Sequence, residues 1–196
     1  VDGITHKTPS PFHVLATQNP IEYEGTFPLP ETQLDRFLMR ISLGYPSISN
    51  EITIMEMQQY RHPVEQLSAV IDIPAFLMLQ ETVKKIYVDS TVKQYIATLV
   101  AATRNHPVIR LGASPRGSLA LFRSAQARAL LQERDFVLPD DIKALAEHVL
   151  AHRLILQSSA DSQDRSGRAF IAGILEKIPV PGTIPGRDAK AQDAGY

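Results

Sequence analysis

The chain has 196 residues, 44% of them hydrophobic, so it is long enough to bury a core in one or two domains. Its 20 lysine and arginine residues nearly balance 21 aspartate and glutamate residues, so net charge offers no long-range attraction to nucleic acid or to an anionic membrane. The absence of cysteine excludes disulfides, thiolate metal ligands and a cysteine nucleophile. No run approaches the roughly 18 apolar residues of a membrane span, and Val1-Asp2-Gly3 lacks the character of a signal peptide, so we expect a cytoplasmic location.

The first 46 residues are typical of part of an α/β sheet. Val1–His6 resembles the second half of a hairpin, and the bounded apolar run Phe12–Ala16 predicts a strand buried in a sheet. Prolines make residues 17 to 30 a loop. Glu31–Phe37 then predicts a short helix, and Leu38–Leu43 predicts a returning strand.

From Ser47 onward, apolar residues recur at the spacing of helices. The stripes are Phe76, Leu79, Val83, Ile86 and Tyr87; Val92, Tyr95, Ile96, Leu99 and Val100; Leu119, Phe122, Ala125 and Ala129; Ile142, Leu145, Ala146, Val149 and Leu150; and Phe170, Ile171, Ile174, Leu175 and Ile178. Because each stripe covers one side of its helix, the helices are expected to pack on one another as a bundle. The residues from Gly182 onward are rich in glycine, proline, alanine and charge, which predicts a disordered tail.

The best-specified helix start lies in the segment "LGASPRGSLALF". Ser114 is a favoured N-cap residue, and Pro115 falls at the first helical position, where its missing N–H costs nothing. Arg116 then lies at the second position, where the helix dipole disfavours a cation. An arginine placed there, beside free backbone N–H groups, indicates an anion site. The alternative is an exposed arginine whose stem covers apolar surface.

Other patterns are weaker. His148 and His152 have the spacing of two zinc ligands on a helix, but no glutamate follows the first histidine and no third ligand is evident. Gly112–Gly117 differs from a nucleophile elbow, because its second glycine comes one place late and Pro115 blocks the strained turn. The sequence contains neither GxxxxGK[ST] nor GxGxxG, so nothing in it could wrap a triphosphate alone.

Several separated blocks, in order, resemble the MoxR family of AAA+ ATPases over about residues 1 to 181. They are "PFHVLATQNPIEYEGTFPLPETQLDRFLMRISLGYPS", "TRNHPVIRLGASPRGSLALFRSAQARALL", "FVLPDDIKALAEHVLAHRL" and "ILEKIPVP". The resemblance implies the C-terminal strands of a P-loop AAA+ core in residues 1–46, a helical-bundle lid domain in 47–181 and a tail in 182–196. It also places the nucleotide-binding P-loop and the acidic Walker B strand upstream of Val1.

The resemblance implies three site residues. Asn19 would be sensor 1, binding the γ-phosphate or orienting the attacking water with an uncharged amide. Arg36 would be the arginine finger, reaching the nucleotide of a neighbouring subunit. Arg116 would be sensor 2, carried by the lid onto the subunit's own γ-phosphate. Each has a structural alternative, since Asn19 could end a strand, Arg36 could pair with Asp35 or Glu31, and Arg116 could be solvated.

The resemblance further implies an ATP-dependent and Mg²⁺-dependent ring, expected to be hexameric, that remodels or matures client proteins such as von Willebrand factor A domain partners. Residues 1–196 alone are expected to be inactive, because the groups that hold phosphates and Mg²⁺ are missing from them. Two other functions are considered: an ATP-independent helical protein-interaction module, and a helical nucleic-acid-binding domain, which near-neutral charge and sparse aromatic residues disfavour. Glu133 also departs from the family pattern, which usually has glycine there, and this change is expected to remove a helix C-cap.

Overall fold

The computed structural model of the chain describes residue 3 and residues 5–18, 29–157 and 163–182. Contacts divide these residues into two compact units. The first unit contains the described residues before Leu29 together with Ser42–Thr82. The second, here called the helical unit, contains Leu29–Ile41 and the described residues from Val83 onward.

The described secondary structure is mainly helical, as the sequence predicts. In chain order the elements are α1 (Glu31–Leu34), α2 (Ile48–Gln58), α3 (Ile73–Val83), α4 (Ser90–Arg104), β1 (Ile109–Leu111), α5 (Pro115–Leu131), α6 (Pro139–Leu150), β2 (Ile155–Leu156) and α7 (Gln163–Lys177). Short 3₁₀ helices occur at Pro63–Gln66 and Ala151–Arg153. Of the helices described, none combines the length and the apolar character required to cross a bilayer.

The two strands predicted in the first 46 residues do not form in the described part of the chain. Phe12–Ala16 and Leu38–Leu43 have no hydrogen-bonded strand partner there, and Leu15 and Leu43 are almost fully exposed. A strand depends on neighbours that accept and donate its backbone hydrogen bonds, which an apolar run alone cannot supply. The predicted strands are therefore wrong for this structure, whereas the predicted short helix is present as α1.

The first unit exposes most of its apolar side chains. Its helices α2 and α3 contain no buried residue. The predicted stripe that begins at Phe76 is also interrupted, because α3 ends at Val83 and leaves Ile86 and Tyr87 outside the helix. Of that stripe only Ile86 is buried, so its prediction as a continuous core face is wrong.

The helical unit has a well-packed core formed by α4, α5, α6 and α7. The predicted stripes on α4, α6 and α7 lie in this core or pack against it. On α5 the buried face is centred on Leu121, Ala125 and Ala129, whereas Leu119 is 65% exposed. The bundle prediction is therefore confirmed for these helices, and the placement of Leu119 in the core is wrong.

The turn between α5 and α6 is fixed by backbone hydrogen bonds. At the end of α5 the N–H of Glu133 donates to Leu130 O, and that of Arg134 donates to Ala129 O, which is the Schellman pattern. Glu133 occupies its left-handed position with φ of 55°, so the expectation that this residue removes the helix C-cap is wrong. The turn then returns to α6, where the buried carboxylate of Asp141 accepts from the N–H of Leu138.

The helical unit also contains a two-stranded sheet, which the helical pattern did not predict. Strands β1 and β2 pair antiparallel, with Ile109 opposite Leu156 and Leu111 opposite Ile155. Because β1 precedes α5 and β2 follows α6, the pair joins the two ends of the α5–α6 hairpin. The sheet therefore fixes the segment that leads into α5.

The two contact-based units do not follow the predicted division at residues 46 and 47, because Leu29–Ile41 packs within the helical unit. The division into 1–46 and 47–181 remains a prediction about the family's domain organisation. The predicted tail 182–196 lies outside the described residues, apart from Gly182.

Candidate functional site

The start of α5 has the geometry that its sequence predicts. Ser114 is the N-cap, its hydroxyl accepts a hydrogen bond from the N–H of Arg116 at 3.2 Å, and Pro115 occupies the first turn. The N–H of Gly117 donates to Ser114 O at 2.9 Å. The N–H groups of Arg116 and Gly117 are thus already paired, contrary to the expected free donors. An anion at this helix start would be bound mainly by the Arg116 guanidinium, whose side chain is 58% exposed.

The loop before Ser114 is held against the end of α4. The N–H of Ala113 donates to Thr103 Oγ1 at 3.0 Å, and Arg104 Nε donates to Ala113 O at 2.8 Å. Gly112 lies so close to this helix that a Cβ there would be 2.5 Å from Thr103 O. The loop therefore requires glycine at this position and fixes where α5 begins.

Arg36 lies in the turn that follows α1. The turn is formed by the N–H of Arg36 donating to Gln33 O at 3.0 Å and by that of Phe37 donating to Leu34 O at 3.1 Å. The Arg36 side chain is exposed and makes no hydrogen bond or ion pair with another described residue. The alternative pairing with Asp35 or Glu31 is not observed, because Glu31 pairs with Arg110 at 3.5 Å and Asp35 is occupied elsewhere.

Asp35 connects the turn to two distant parts of the helical unit. Its carboxylate accepts from the Ser114 hydroxyl at 3.0 Å and from Arg153 Nη1 at 2.7 Å. Arg116 Nη1 lies farther away, at 3.9 Å from Asp35 Oδ2. The carboxylate next to the predicted finger therefore contacts both the N-cap of α5 and a buried arginine.

Arg153 is the most deeply buried charge near the site, with a side chain that is only 2% exposed. It follows α6 in the 3₁₀ helix Ala151–Arg153. Its guanidinium donates to five oxygens, which are Val149 O at 2.7 Å, Asp35 O at 2.6 Å, Asp35 Oδ1 at 2.7 Å, Phe37 O at 2.6 Å and Leu38 O at 3.3 Å. These contacts use all five N–H donors that a guanidinium possesses.

Arg36 and Arg116 line the same open cleft in the helical unit, with a volume of about 330 Å³. Its lining residues are Asp35, Arg36, Leu38, Arg116, Leu119, Ala120, Arg123 and Arg153. Four guanidinium groups and one carboxylate give this lining a formal charge of +3, while leucine and alanine supply apolar surface. Because Arg153 is buried and paired with Asp35, the charge available to a ligand comes from Arg36, Arg116 and Arg123. Such a cleft suits a multiply charged anion.

His148 and His152 both contact the residues that follow Arg36, because the N–H of Arg40 donates to His148 O and the His152 ring lies next to Phe37 O. His152 Nε2 is 3.4 Å from Phe37 O, which fits a ring that donates its proton to this carbonyl. Burial, with the nearby charge of Arg153 as the next cause, lowers the pKa of His152 below its usual value. Among the described residues no group of three or more histidine or acidic side chains has the arrangement of a metal site.

The structure therefore describes two of the three predicted site residues. Arg36 and Arg116 come together in one cleft, whereas Asn19 lies outside the described residues. Sequence reasoning missed Arg123, which lies two helical turns beyond Arg116 on the same face of α5 and donates to Gln126 Oε1 at 3.0 Å. Sequence reasoning also missed the ion pair between Asp35 and the buried Arg153. Helical spacing could have indicated Arg123, but no local signal joins residues separated by 118 positions.

Comparison with known proteins identifies the family. Residues 1–39 match the model of the ATPase family associated with various cellular activities (AAA), and residues 101–173 match the AAA lid domain. The chain is 37% identical to "Chaperone MoxR1" of Mycobacterium tuberculosis over 190 residues, which cover 92% of this chain and 50% of that protein. The chain belongs to the MoxR family of AAA+ ATPases.

Two further comparisons match a similar share of this chain. The chain is 47% identical to "Uncharacterized protein YeaC" of Bacillus subtilis over 181 residues, covering 92% of this chain and 57% of that protein. The crystal structure of a "putative ATPase" from Cytophaga hutchinsonii superposes with a TM-score of 0.83 at 37% identity, covering 92% of this chain and 58% of the other. The chain thus spans about half the length of the curated relatives it matches.

Proposed function

We propose that this chain forms the sensor, finger and lid portion of a MoxR-type AAA+ ATPase that works as a homo-oligomeric ring, with six subunits as the expected number. The ring uses ATP and Mg²⁺ and couples hydrolysis to the remodelling or maturation of client proteins, with von Willebrand factor A domain proteins as the expected class. Family membership supports the ATPase part, and the name of the mycobacterial relative supports a chaperone role.

The observation that carries the proposal is the shared cleft of Arg36 and Arg116. Both side chains are exposed, and the carboxylate nearest to Arg116 lies 3.9 Å away, at the outer limit of an ion pair. Guanidinium groups bind phosphate through paired N–H donors and stabilise the charge that develops during phosphoryl transfer. The donor set therefore fits the terminal phosphates of ATP. Among the described residues no group of three or more histidine or acidic side chains could hold a metal ion by itself.

The shared cleft favours a single nucleotide for both arginines. The family resemblance alone assigns the finger to the neighbour's ATP and sensor 2 to the subunit's own ATP. Since Arg36 and Arg116 line one cleft in one compact unit, we assign both to the nucleotide of the neighbouring subunit. Asn19 remains the residue proposed to contact the subunit's own nucleotide.

The first test removes the proposed finger, Arg36, in the assembled ATPase. Arg36→Ala should lower kcat by on the order of a thousandfold while ATP affinity changes by no more than about twofold. Arg110→Ala is a matched control, because Arg110 is an exposed arginine of the same unit that does not line the cleft. Equal losses of binding and turnover in Arg36→Ala, or an equal effect of Arg110→Ala, would contradict the finger assignment.

The second test mixes Arg36→Ala and Arg116→Ala subunits in one ring. If one neighbour supplies both arginines to each nucleotide, every site in the mixed ring lacks one of them and turnover stays at background. If sensor 2 instead serves its own subunit, about a quarter of the interfaces in an equal mixture are complete and activity returns. Recovery of activity would therefore refute the assignment of Arg116 to the neighbour's nucleotide.

A third measurement concerns residues 1–196 alone. The sequence contains no P-loop motif, so a pure sample should hydrolyse ATP no faster than background. Turnover that survives purification to homogeneity would show that the nucleotide is held by groups other than those proposed.

A further inference from the structure

We infer that Arg153 is a positioning residue for the arginine finger, locking the turn that carries Arg36 onto the helical unit that carries Arg116. The inference rests on the proposed function of these two arginines. Arg153 itself is buried, so its effect on the nucleotide is exerted through the backbone that it holds.

The hydrogen bonds of Arg153 hold the backbone on both sides of Arg36. Its guanidinium binds the carbonyl of Asp35 on one side of Arg36 and those of Phe37 and Leu38 on the other. The helix that precedes the turn, α1, has only four residues, too few to be stable without tertiary contacts. The backbone position of Arg36 therefore depends on this one guanidinium more than on local secondary structure.

Two further contacts secure the same segment. The Ser114 hydroxyl donates to Asp35 while accepting from the N–H of Arg116, so one side chain joins the finger turn to the helix start that bears sensor 2. Farther along, the N–H of Arg40 donates to His148 O at 2.9 Å. With Arg153, these contacts make the finger turn and the start of α5 parts of one rigid element.

A positioning role predicts a specific kinetic change. Loosening the turn leaves the Arg36 side chain chemically intact but misplaces its charge, which matters most when charge develops on the transferred phosphoryl group. The chemical step should therefore slow while the affinity for ATP is retained. Loss of a merely structural contact would instead lower the amount of folded protein without changing the ratio of kcat to KM in what remains.

The test uses Asp35→Asn and Arg153→Lys, with Glu31→Ala as the matched control. Glu31 lies on the same segment and pairs with an arginine of the same unit, but it is exposed and is not among the hydrogen-bond partners of Arg153. Asp35→Asn keeps the carbonyl acceptors of Arg153, so the variant should fold, but it removes the charged partner that orients the guanidinium. It therefore tests the inference even if Arg153→Lys does not fold. Hydrogen exchange is measured on residues 1–196, and kinetics are measured on the assembled ATPase.

In both variants the amides of Arg36 and Phe37 should exchange at least about tenfold faster, while amides in the middle of α5 keep their wild-type rates. In the ATPase kcat should fall by about tenfold or more with KM within about twofold. Glu31→Ala should change none of these quantities. Faster exchange throughout α5, a rise in KM at constant kcat, or wild-type exchange and kcat in Asp35→Asn would each overturn the inference.

The outcome also separates this inference from the proposed function. If Arg36→Ala leaves turnover intact, the finger assignment fails, and exchange at Arg36 and Phe37 still reports whether Arg153 holds the turn. If Arg36→Ala abolishes turnover but Asp35→Asn and Arg153→Lys behave like Glu31→Ala, the finger assignment stands and the positioning role is refuted.

Discussion

The carboxylate of Asp35 accepts a hydrogen bond from the hydroxyl of Ser114, which lies 79 residues farther along the chain, at 3.0 Å. The same hydroxyl caps α5 by accepting from the N–H of Arg116. Ser114 therefore both caps α5 and donates to Asp35. A substitution that keeps the cap can still disrupt the contact with Asp35.

Ser114→Asp should destabilise the helical unit relative to Ser114→Asn. Asparagine and aspartate are about equally good N-caps, so an isolated helix would barely distinguish them. Here aspartate places a second carboxylate against Asp35, whereas the amide of asparagine can still donate to it, and the difference should be about 1–2 kcal/mol. Urea unfolding followed by circular dichroism measures it. Equal midpoints for the two variants would show that Ser114 acts only as a cap.

Gly112→Ala should destabilise the chain by about 1–3 kcal/mol, because the new Cβ would overlap the backbone of Thr103 and force the loop away from α4. Gly173→Ala is the matched control. Gly173 lies in α7 with open space where a Cβ would lie, so alanine there should stabilise by about 0.5–1 kcal/mol. Thermal unfolding of both variants tests the opposite signs, and a neutral Gly112→Ala would contradict the tight contact.

Glu133→Gly should stabilise the chain by about 0.5–1 kcal/mol. Glu133 occupies the left-handed position of the Schellman turn, which glycine adopts without steric cost. Glu133→Ala is the control, since it removes the charge but keeps a Cβ at positive φ. If alanine stabilises as much as glycine in chemical denaturation, the cause is the charge and not the backbone conformation.

Asp141→Ala should cost about 2–4 kcal/mol, whereas Asp140→Ala should cost less than about 0.5 kcal/mol. Asp141 is buried and binds Arg134 at 2.7 Å, so its removal leaves a partly buried arginine and the N–H of Leu138 without their acceptor. Asp140 is 85% exposed and lies 3.7 Å from Lys143. If the denaturant midpoints of Asp141→Ala and Asp140→Ala shifted by the same amount, this account would be contradicted.

His152 should make the stability of the chain fall under mildly acidic conditions. Burial lowers its pKa in the folded state, so the unfolded chain binds a proton first as the pH drops. The contribution is complete above the unfolded pKa of about 6.5 and is lost as the pH falls from there through the folded value. Denaturation at a series of pH values should show a smaller acid loss in His152→Gln than in the wild type. Equal acid losses in His152→Gln and in the wild type would contradict this account.

The start of α5 could be predicted from the sequence because its causes are local. Cap, proline and arginine are adjacent, and the rules for a helix N-terminus apply within one turn. The role of Leu119 could not be predicted in this way, since apolar spacing does not reveal whether a side chain faces the core or an open cleft. The pair of Asp35 and Arg153 depends on tertiary packing between distant segments, and the paired strands depend on partners that periodicity does not identify.

The full use of the Arg153 donors has a consequence for mutational surveys of this chain. Lysine offers three donors from one nitrogen, and glutamine offers two, so no other amino acid can satisfy the same oxygens. A saturation library selected for activity should tolerate almost nothing at this position. Such intolerance would look like that of a catalytic group, although this side chain is buried and acts by holding the turn that carries Arg36.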